Sequence, residues 1–151
     1  HTQEAMRRLN ITPSFWRLAI KPGRPMAAGI ATSGAPVLCL PGNPVAAFVC
    51  YRLVAAPVLT IMAGGAPSAL LRCPMRCGFD HRKSPGRAEY LRVRIVTGTD
   101  GQAEMVLHGR KGAGVLSSLT GADGLVEIPV DNDGVAVGDY LCFIPFREPA
   151  L

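Results

Sequence analysis

The chain has 151 residues, of which 48% are hydrophobic, so it can bury the core of one ordinary domain or of two small ones. Its formal net charge of +5 suits an anionic partner, but the basic residues are scattered and only 6% of the chain is aromatic. Nucleic-acid modules cluster basic charge among aromatic side chains, so we expect no nucleic-acid partner. The five cysteines, an odd number, argue against a disulfide framework and favour a reducing, cytoplasmic compartment.

The first half of the chain has the pattern of short strands that lead into a long helix. Residues 4–9 have the pattern of a helix that is ending, and short apolar runs predict three strands at residues 15–20, 26–32 and 37–40. Proline and glycine residues separate these runs, and no regular element continues through such breaks. Strands that precede a helix in this way indicate an α/β arrangement.

The loop from Pro41 to Pro44 carries the start signals of the helix. Asn43 is predicted to cap the helix because its side chain can accept a hydrogen bond from a free helix N–H. Pro44 suits the first helical position, and Gly42 gives the backbone freedom just before the cap. Such loops lie where α/β sheets bind ligands, and unpaired N–H groups at a helix start can hold a phosphate. A helix start built only for stability has the same pattern.

The apolar stretch 45–63 is predicted to form one helix that runs to Ala63 and stops at Gly64-Gly65. Pro57 lies inside it, so we expect a kink, or a break and restart, near Ala56. The stretch could be mistaken for a membrane span, but Arg52 and Pro57 lie near its middle, and an arginine there is expensive in lipid. We therefore expect a buried helix of a soluble protein and no membrane partner.

The second half of the chain predicts short strands joined by turns and almost no helix. The segment 89–95 alternates between apolar and charged residues, and the hairpin signal at residues 97–101 leads into a returning strand. Several short strands at this spacing indicate a small sandwich or barrel. The predicted strands cover residues 89–95, 103–107, 125–128 and 140–144.

Two cations in the loop 21–25 are candidates for binding an anion. Lys21 and Arg24 follow a predicted strand, and Pro22 and Pro25 limit the conformations of the loop that carries them. An arginine can grip an oxyanion through two hydrogen bonds, while a lysine acts as a point charge. A solvated turn with two surface cations fits the same pattern.

The rest of the chain shows no further catalytic pattern. The histidines at positions 1, 81 and 108 lack metal-ligand spacing and are interpreted as scattered surface residues. Cys73 and Cys77 lack a second ligand pair, so a zinc site is not expected. No phosphate-loop or dinucleotide fingerprint is present.

Several motifs together resemble one family over nearly the whole chain. They are Phe15-Trp-Arg-Leu-Ala-Ile-Lys-Pro-Gly-Arg-Pro25, Leu40-Pro-Gly-Asn-Pro-Val45, Ser84-Pro-Gly-Arg87, Gly112-Ala-Gly-Val-Leu-Ser-Ser118 and Val137-Gly-Asp139. In this order they resemble the C-terminal portion of the molybdopterin molybdenumtransferase family, which includes the bacterial MoeA proteins and the gephyrin E domain. The resemblance implies the C-terminal portion of a molybdopterin-binding α/β domain at residues 1–70. A small β-barrel-like domain is implied at residues 71–151.

The resemblance also implies a reaction and its participants. Adenylylated molybdopterin and molybdate enter, the adenylate is cleaved with release of AMP, and molybdenum is bound by the dithiolene. Magnesium is expected to assist, with its carboxylate ligands upstream of this chain, so we expect no metal ligand here and no activity of the fragment alone. The family further implies a homodimer with its cleft at a seam between two domains.

The residues implied to bind substrate come from both halves of the chain. They are Lys21, Arg24, Pro41, Gly42, Asn43, Pro44, Arg87, Gly112 and Ser117. Two positions depart from the family pattern: Arg24 stands where lysine is commoner, and Ala113 stands where serine is frequent. The first departure keeps the charge, and the second removes one hydroxyl from the implied anion site.

Two other functions remain open on the sequence. One is a binding module without catalysis, in which the same loops hold molybdopterin or another anion as a scaffold. The other is an adenylyltransferase relative that shares only the α/β domain. The second would leave residues 71–151 unexplained.

Overall fold

A computed structural model describes residues 2–66, 69–109 and 117–147. The helices are α1 (Thr2–Arg8), α2 (Pro44–Cys50), a π-helical segment (Tyr51–Ala55), α3 (Ala56–Met62) and α4 (Ser117–Thr120). The strands are β1 (Thr12–Phe15), β2 (Ile20–Lys21), β3 (Ala27–Ile30), β4 (Pro36–Cys39), β5 (Cys73–Cys77), β6 (His81–Arg82), β7 (Ala88–Thr97), β8 (Ala103–Leu107), β9 (Gly124–Ile128), β10 (Gly134–Val135) and β11 (Tyr140–Pro145).

The chain divides into two compact units. One comprises His1–Leu18 with Gly23–Pro67, and the other comprises Ala19–Pro22 with Ser68–Leu151. The short segment 19–22 therefore belongs to the second unit although it lies in the first half of the sequence. Lys21 and Arg24 therefore belong to different units.

The first unit contains a three-stranded antiparallel sheet. Its strand order is β1-β3-β4, and Met6 from α1 packs with Ile11 and Ala27 in its core. Gly29 on β3 allows a close approach, because a Cβ atom there would lie 2.6 Å from the Thr12 carbonyl oxygen and 2.7 Å from the end of Met6. Position 29 therefore has room only for glycine, because α1 and β1 pack closely against β3 there.

The predicted strand at residues 15–20 is wrong. Phe15 ends β1, and Ile20 begins β2, which pairs with β7 in the second unit. The Ala88 N–H donates to the Ala19 carbonyl at 2.9 Å, and this bond continues the pairing with β7. One apolar run is therefore shared between two sheets, and local pattern cannot show such a division because each half is only a few residues long.

The helix start at Asn43 is confirmed. The backbone of Asn43 is extended, and its Oδ1 accepts hydrogen bonds from the N–H groups of Val45 and Ala46, each at 3.1 Å. Pro44 occupies the first helical position, as expected from its fixed φ and missing donor.

Replacing Asn43 by Ala is expected to lower the free energy of unfolding by about 1 kcal/mol, because two first-turn donors lose their acceptor. Urea unfolding of the chain and of this variant would measure the difference. Asn43→Asp keeps an acceptor oxygen and should retain most of the stability. An alanine variant as stable as the parent chain would contradict the role of the cap.

The expected irregularity near Pro57 is also confirmed. A π-helical segment fills residues 51–55, and the Ala56 N–H donates to the carbonyl of Tyr51, five residues back. The α-helix then restarts at Ala56 with Pro57 in its first turn, where proline is tolerated. The helix ends at Met62, and Gly64 adopts a φ of +79° just beyond it.

Burial of this helical segment decreases along its length. Val45, Ala46, Val49, Cys50 and Ala55 are buried, whereas Tyr51, Leu59, Ile61 and Met62 are 44% to 58% exposed. The prediction of a buried helix therefore holds for α2 and Ala55, whereas α3 has no buried residue and residues 59–63 are exposed in succession. Within the described residues, Pro44–Met62 is the one helical stretch long and apolar enough to cross a membrane, a test that core helices also pass.

The second unit is a closed five-stranded barrel. Its strands follow the order β7-β8-β5-β11-β9, and the pairing of β9 with β7 closes the ring. β2 adds to the outside of this ring by parallel pairing with β7, and β6 pairs with β10 separately. The barrel core contains Cys77, Phe79, Val93, Met105, Val126, Ile128, Val135, Leu141 and Phe143. The predicted β-barrel-like second half is confirmed, whereas the sequence did not predict the strands β5, β6 and β10.

Candidate functional site

The predicted binding residues fall into two groups. Arg24 and the loop Pro41–Pro44 belong to the first unit, and Lys21 and Arg87 belong to the second. Gly112 lies outside the described residues, and Ser117 begins α4. From the sequence we also expect Lys21 and Arg24 to face one cleft with the start of α2, because each follows a predicted strand; this stays a prediction.

The turn that carries Arg24 is anchored through its backbone. Gly23 is buried with a φ of +122°, a conformation that favours glycine, and its carbonyl accepts hydrogen bonds from the Met26 N–H and the Cys50 thiol. The Arg24 carbonyl accepts from the Leu18 N–H at 3.1 Å. These contacts hold the backbone while the Arg24 side chain stays exposed, so the guanidinium is available to an anion.

The start of α2 differs from the expectation of unpaired donors. Pro44 has no N–H, the N–H groups of Val45 and Ala46 donate to Asn43 Oδ1, and the Ala47 N–H donates to the Asn43 carbonyl. Asn43 therefore already uses the first-turn donors that were predicted to hold a phosphate. Any hydrogen bond that this loop donates to an anion therefore comes from Gly42, which is exposed, or from the Asn43 amide.

Lys21 lies in a cluster of three ionisable side chains within the second unit. Its Nζ donates to Glu89 Oε1 at 2.8 Å, and His81 Nε2 lies 2.8 Å from Glu89 Oε2. The parallel pairing of β2 with β7 sets Lys21 opposite Glu89, and β6 supplies His81. The Glu89 side chain is 5% exposed and the Lys21 side chain 56%, so a buried carboxylate holds a cation whose far side meets solvent.

Two opposing influences set the pKa of Glu89. Burial acts to raise the pKa of its carboxyl, but the hydrogen bonds and positive charges of Lys21 and His81 outweigh burial and lower it below the ordinary value. Glu89 is therefore ionised in neutral solution, and His81 Nε2 donates the hydrogen bond to it.

This pKa shift predicts a dependence of stability on pH. A carboxyl whose pKa is lowered on folding contributes stability that is fully present above its unfolded pKa of about 4.3 and is lost as pH falls through the folded value. The free energy of unfolding of the parent chain is therefore expected to exceed that of the Glu89→Gln variant by more at about pH 6 than at about pH 3. Urea unfolding of both proteins at each pH would measure it, and an advantage that grows on acidification would contradict the shift.

The interpretation of His81 as a scattered surface residue is wrong. Its side chain is 18% exposed and is bonded to Glu89. β6 and β10 are two residues each, too short to show a periodic pattern, so the sequence carried no signal for this placement. His108 is half-buried, and its ring lies where a Cβ atom on Gly121 would be.

A buried lysine fixes the turn that carries Arg87. Lys83 is 9% exposed, and its Nζ donates to the carbonyls of Asn132 at 2.5 Å and Val130 at 3.2 Å. The Gly86 N–H also donates to the Val130 carbonyl, at 3.0 Å. The Arg87 side chain is exposed at the end of this turn, directly before β7, so Arg87 and Glu89 are two residues apart on a fixed backbone.

Two further features of the described residues bear on ligands. Residues 2–66, 69–109 and 117–147 hold no group of three or more His, Cys, Asp or Glu that could bind a metal ion. A pocket of about 660 Å³ lies in the second unit between Arg94, Leu119, Asp123 and Phe146. None of the predicted binding residues that the structure describes lines this pocket.

Comparison with known proteins identifies the family. The family described as "Probable molybdopterin binding domain" matches residues 1–61, and the family described as "MoeA C-terminal region (domain IV)" matches residues 74–146. The "Molybdopterin molybdenumtransferase 2" of Mycobacterium tuberculosis is 34% identical over 136 residues, which cover 84% of this chain. The chain belongs to the molybdopterin molybdenumtransferase, or MoeA, family and represents its C-terminal portion.

Other members of the MoeA family show the same extent of likeness. The "Molybdopterin molybdenumtransferase" of Haemophilus influenzae is 26% identical over 142 residues, which are 89% of this chain and 33% of the relative. A crystal structure of the molybdopterin biosynthesis MoeA protein from Pyrococcus horikoshii superimposes with a TM-score of 0.76 and 26% identity, over 97% of this chain and 35% of that one. The chain thus spans about a third of the length of these relatives, and the predicted fold class is confirmed.

Proposed function

We propose that the complete protein containing this chain inserts molybdenum into adenylylated molybdopterin. In this reaction molybdate enters, the adenylate is cleaved with release of AMP, and the dithiolene binds molybdenum. The observation that carries the proposal is the pair of consecutive family matches, at residues 1–61 and 74–146, the first of which includes Lys21 and Arg24. The chain itself supplies part of the site.

The proposed chemistry of this part is the binding of anions. Molybdate and a pyrophosphate are both anionic, so the site needs fixed cations and polar donors. Lys21 is held by Glu89, Arg24 by a backbone-anchored turn, and Arg87 by the turn that Lys83 fixes. We assign substrate binding to Lys21, Arg24, Pro41, Gly42, Asn43, Pro44, Arg87, Gly112 and Ser117.

Magnesium is part of the proposed reaction but does not fit the described residues of this chain, because they offer no group of carboxylates or histidines to hold it. We place its ligands elsewhere in the complete protein. We also propose a division into a molybdopterin-binding portion at residues 1–70 and a β-domain at residues 71–151, with residues 19–22 joining the β-domain.

The proposal extends to the surroundings of the protein. We place it in the cytoplasm as a homodimer that binds small molecules and neither nucleic acid nor membrane. The odd number of cysteines supports a reducing compartment. Arg52 lies in the middle of the apolar helical stretch, where an arginine would be costly in lipid. This supports contact of the exposed apolar residues of the stretch with protein rather than with lipid.

Substitution of the two cations tests the proposal. In the complete protein, Arg24→Ala is expected to reduce molybdenum insertion about ten- to a hundredfold, as for a lost charged hydrogen bond of roughly 1.5–3 kcal/mol. Its effect on stability should stay within about 0.5 kcal/mol because the side chain is exposed. Lys21→Ala is expected to reduce insertion similarly and also to cost stability, because Glu89 loses a partner.

Arg24→Lys is the matched control, because it keeps the charge and restores the residue commoner in the family. Its activity is expected to stay closer to the parent than that of Arg24→Ala, because only the second hydrogen bond of the guanidinium is lost. Unchanged insertion in both alanine variants would show that the cations only form a solvated turn. Retained molybdopterin binding without any insertion by the parent protein would instead favour a non-catalytic scaffold.

A further inference from the structure

We propose that Glu89 is a positioning residue that holds the Lys21 ammonium for the oxyanion, with His81 fixing the carboxylate from its other side. The proposal rests on the assignment of Lys21 to substrate binding. It concerns Glu89, which contacts Lys21, and His81, which contacts Glu89. Neither is among the residues proposed to contact substrate.

The geometry separates the anchored side of Lys21 from its open side. A lysine ammonium has three N–H donors, and the bond of 2.8 Å to Glu89 Oε1 uses one of them. The side chain is 56% exposed, so the remaining donors are accessible to an anion from solvent. The long side chain of lysine loses conformational entropy when it is fixed. The bond to Glu89 imposes part of that loss before substrate binds, so the binding step itself costs less entropy.

The anchor itself is rigid. Glu89 lies at the start of the ten-residue strand β7, which pairs with β2, β8 and β9 in the barrel sheet. Its side chain is 5% exposed, and its second oxygen is 2.8 Å from His81 Nε2. A carboxylate bound at both oxygens cannot rotate away without breaking one bond, so His81 fixes the direction in which Glu89 holds Lys21.

The negative charge of Glu89 opposes an anion, and the balance of distances decides the sign of its effect. An oxyanion that contacts the free donors of Lys21 lies closer to the ammonium than to the carboxylate bonded on its other side. Coulomb energy falls with distance, so attraction by the ammonium outweighs repulsion by the carboxylate. The Lys21–Glu89 pair as a whole therefore attracts an anion, and Glu89 favours binding because the placement of the ammonium gains more than this weaker repulsion costs.

A double-mutant cycle in the complete protein tests this role. The proteins compared are the parent, Glu89→Gln, Lys21→Ala and the double variant, with the KM for molybdate and kcat of molybdenum insertion measured for each. Glu89→Gln is expected to raise the KM for molybdate about tenfold, as for one lost charged hydrogen bond, with kcat changed less than about twofold. In the Lys21→Ala background the same substitution is expected to have almost no effect, because the residue it acts through is gone.

Glu127→Gln is the matched control. Glu127 also lies in the barrel and pairs with a cation, Arg72, but this pair is not part of the Lys21 cluster, so the KM for molybdate should not change. Thermal unfolding of every variant distinguishes a variant that has lost its fold from one in which only the Lys21 ammonium is misplaced. If Glu89→Gln fails to fold, His81→Gln replaces it in the cycle, with a smaller rise in KM that again disappears without Lys21.

The possible outcomes separate the two claims. An effect of Glu89→Gln that persists in the Lys21→Ala background, or a KM that falls when the carboxylate is removed, overturns the positioning role alone. If Lys21→Ala leaves the KM unchanged, the assignment of Lys21 to the substrate fails, and the positioning role fails with it.

Discussion

The isolated 151-residue chain is expected to release no AMP from adenylylated molybdopterin when molybdate is added. The chain spans 33% and 30% of the length of two relatives named as molybdenumtransferases. Its described residues hold no group of three or more His, Cys, Asp or Glu that could bind a metal ion. The end of the helical segment exposes Leu59, Ile61 and Met62, an apolar patch of the kind that marks protein contacts.

The measurement compares the isolated chain with the complete protein at equal concentration, with AMP detected by chromatography. The complete protein should respond to molybdate and the chain should stay at the background rate. Circular dichroism of the chain separates an unfolded sample from a folded and inactive one. Molybdate-dependent AMP release by a folded chain would contradict the prediction and would place the whole catalytic site within these residues.

Replacing Gly124 by Ala is expected to lower the free energy of unfolding of the second unit by about 3 kcal/mol. Gly124 begins β9, where it is paired with Val93 of β7 and Pro145 of β11 at the closure of the barrel. A methyl group there would collide with the Ile144 carbonyl oxygen and would lie 2.5 Å from the buried ring of Phe143. Neither obstacle can move freely, because one is backbone of a paired strand and the other is core.

Gly98→Ala is the control for this substitution in the same unit. A methyl group at Gly98 would meet the carboxylates of Asp100 and Glu104 at 3.1 Å, so these groups need to give by only a few tenths of an ångström. Its cost is expected to be no more than about 1 kcal/mol. Calorimetry should show a fall in Tm of about 10 °C or more for Gly124→Ala. Equal Tm values for the two variants would mean that the barrel does not close as tightly as described.

The parts of the site that the sequence predicted correctly depend on residues close together in the chain. The cap at Asn43 and the restart of the helix beside Pro57 follow from the chemistry of single residues and their neighbours. The strand at residues 89–95 follows from an alternation that lies wholly inside β7. The errors came from elements too short to carry a period, such as the run 15–20, which is divided between β1 and β2.

The sequence by itself determined the family, the barrel-like character of the second half and the cations of the Lys-Pro-Gly-Arg loop. Each follows from a motif or an alternation of residues that are near one another in the chain. The tertiary structure decided the environment of Lys21, whose partner Glu89 is 68 positions away. It also divided the run 15–20 between β1 and β2, which belong to different sheets. Strand pairing and burial bring distant residues together, and no local pattern encodes which distant carboxylate will meet a given lysine.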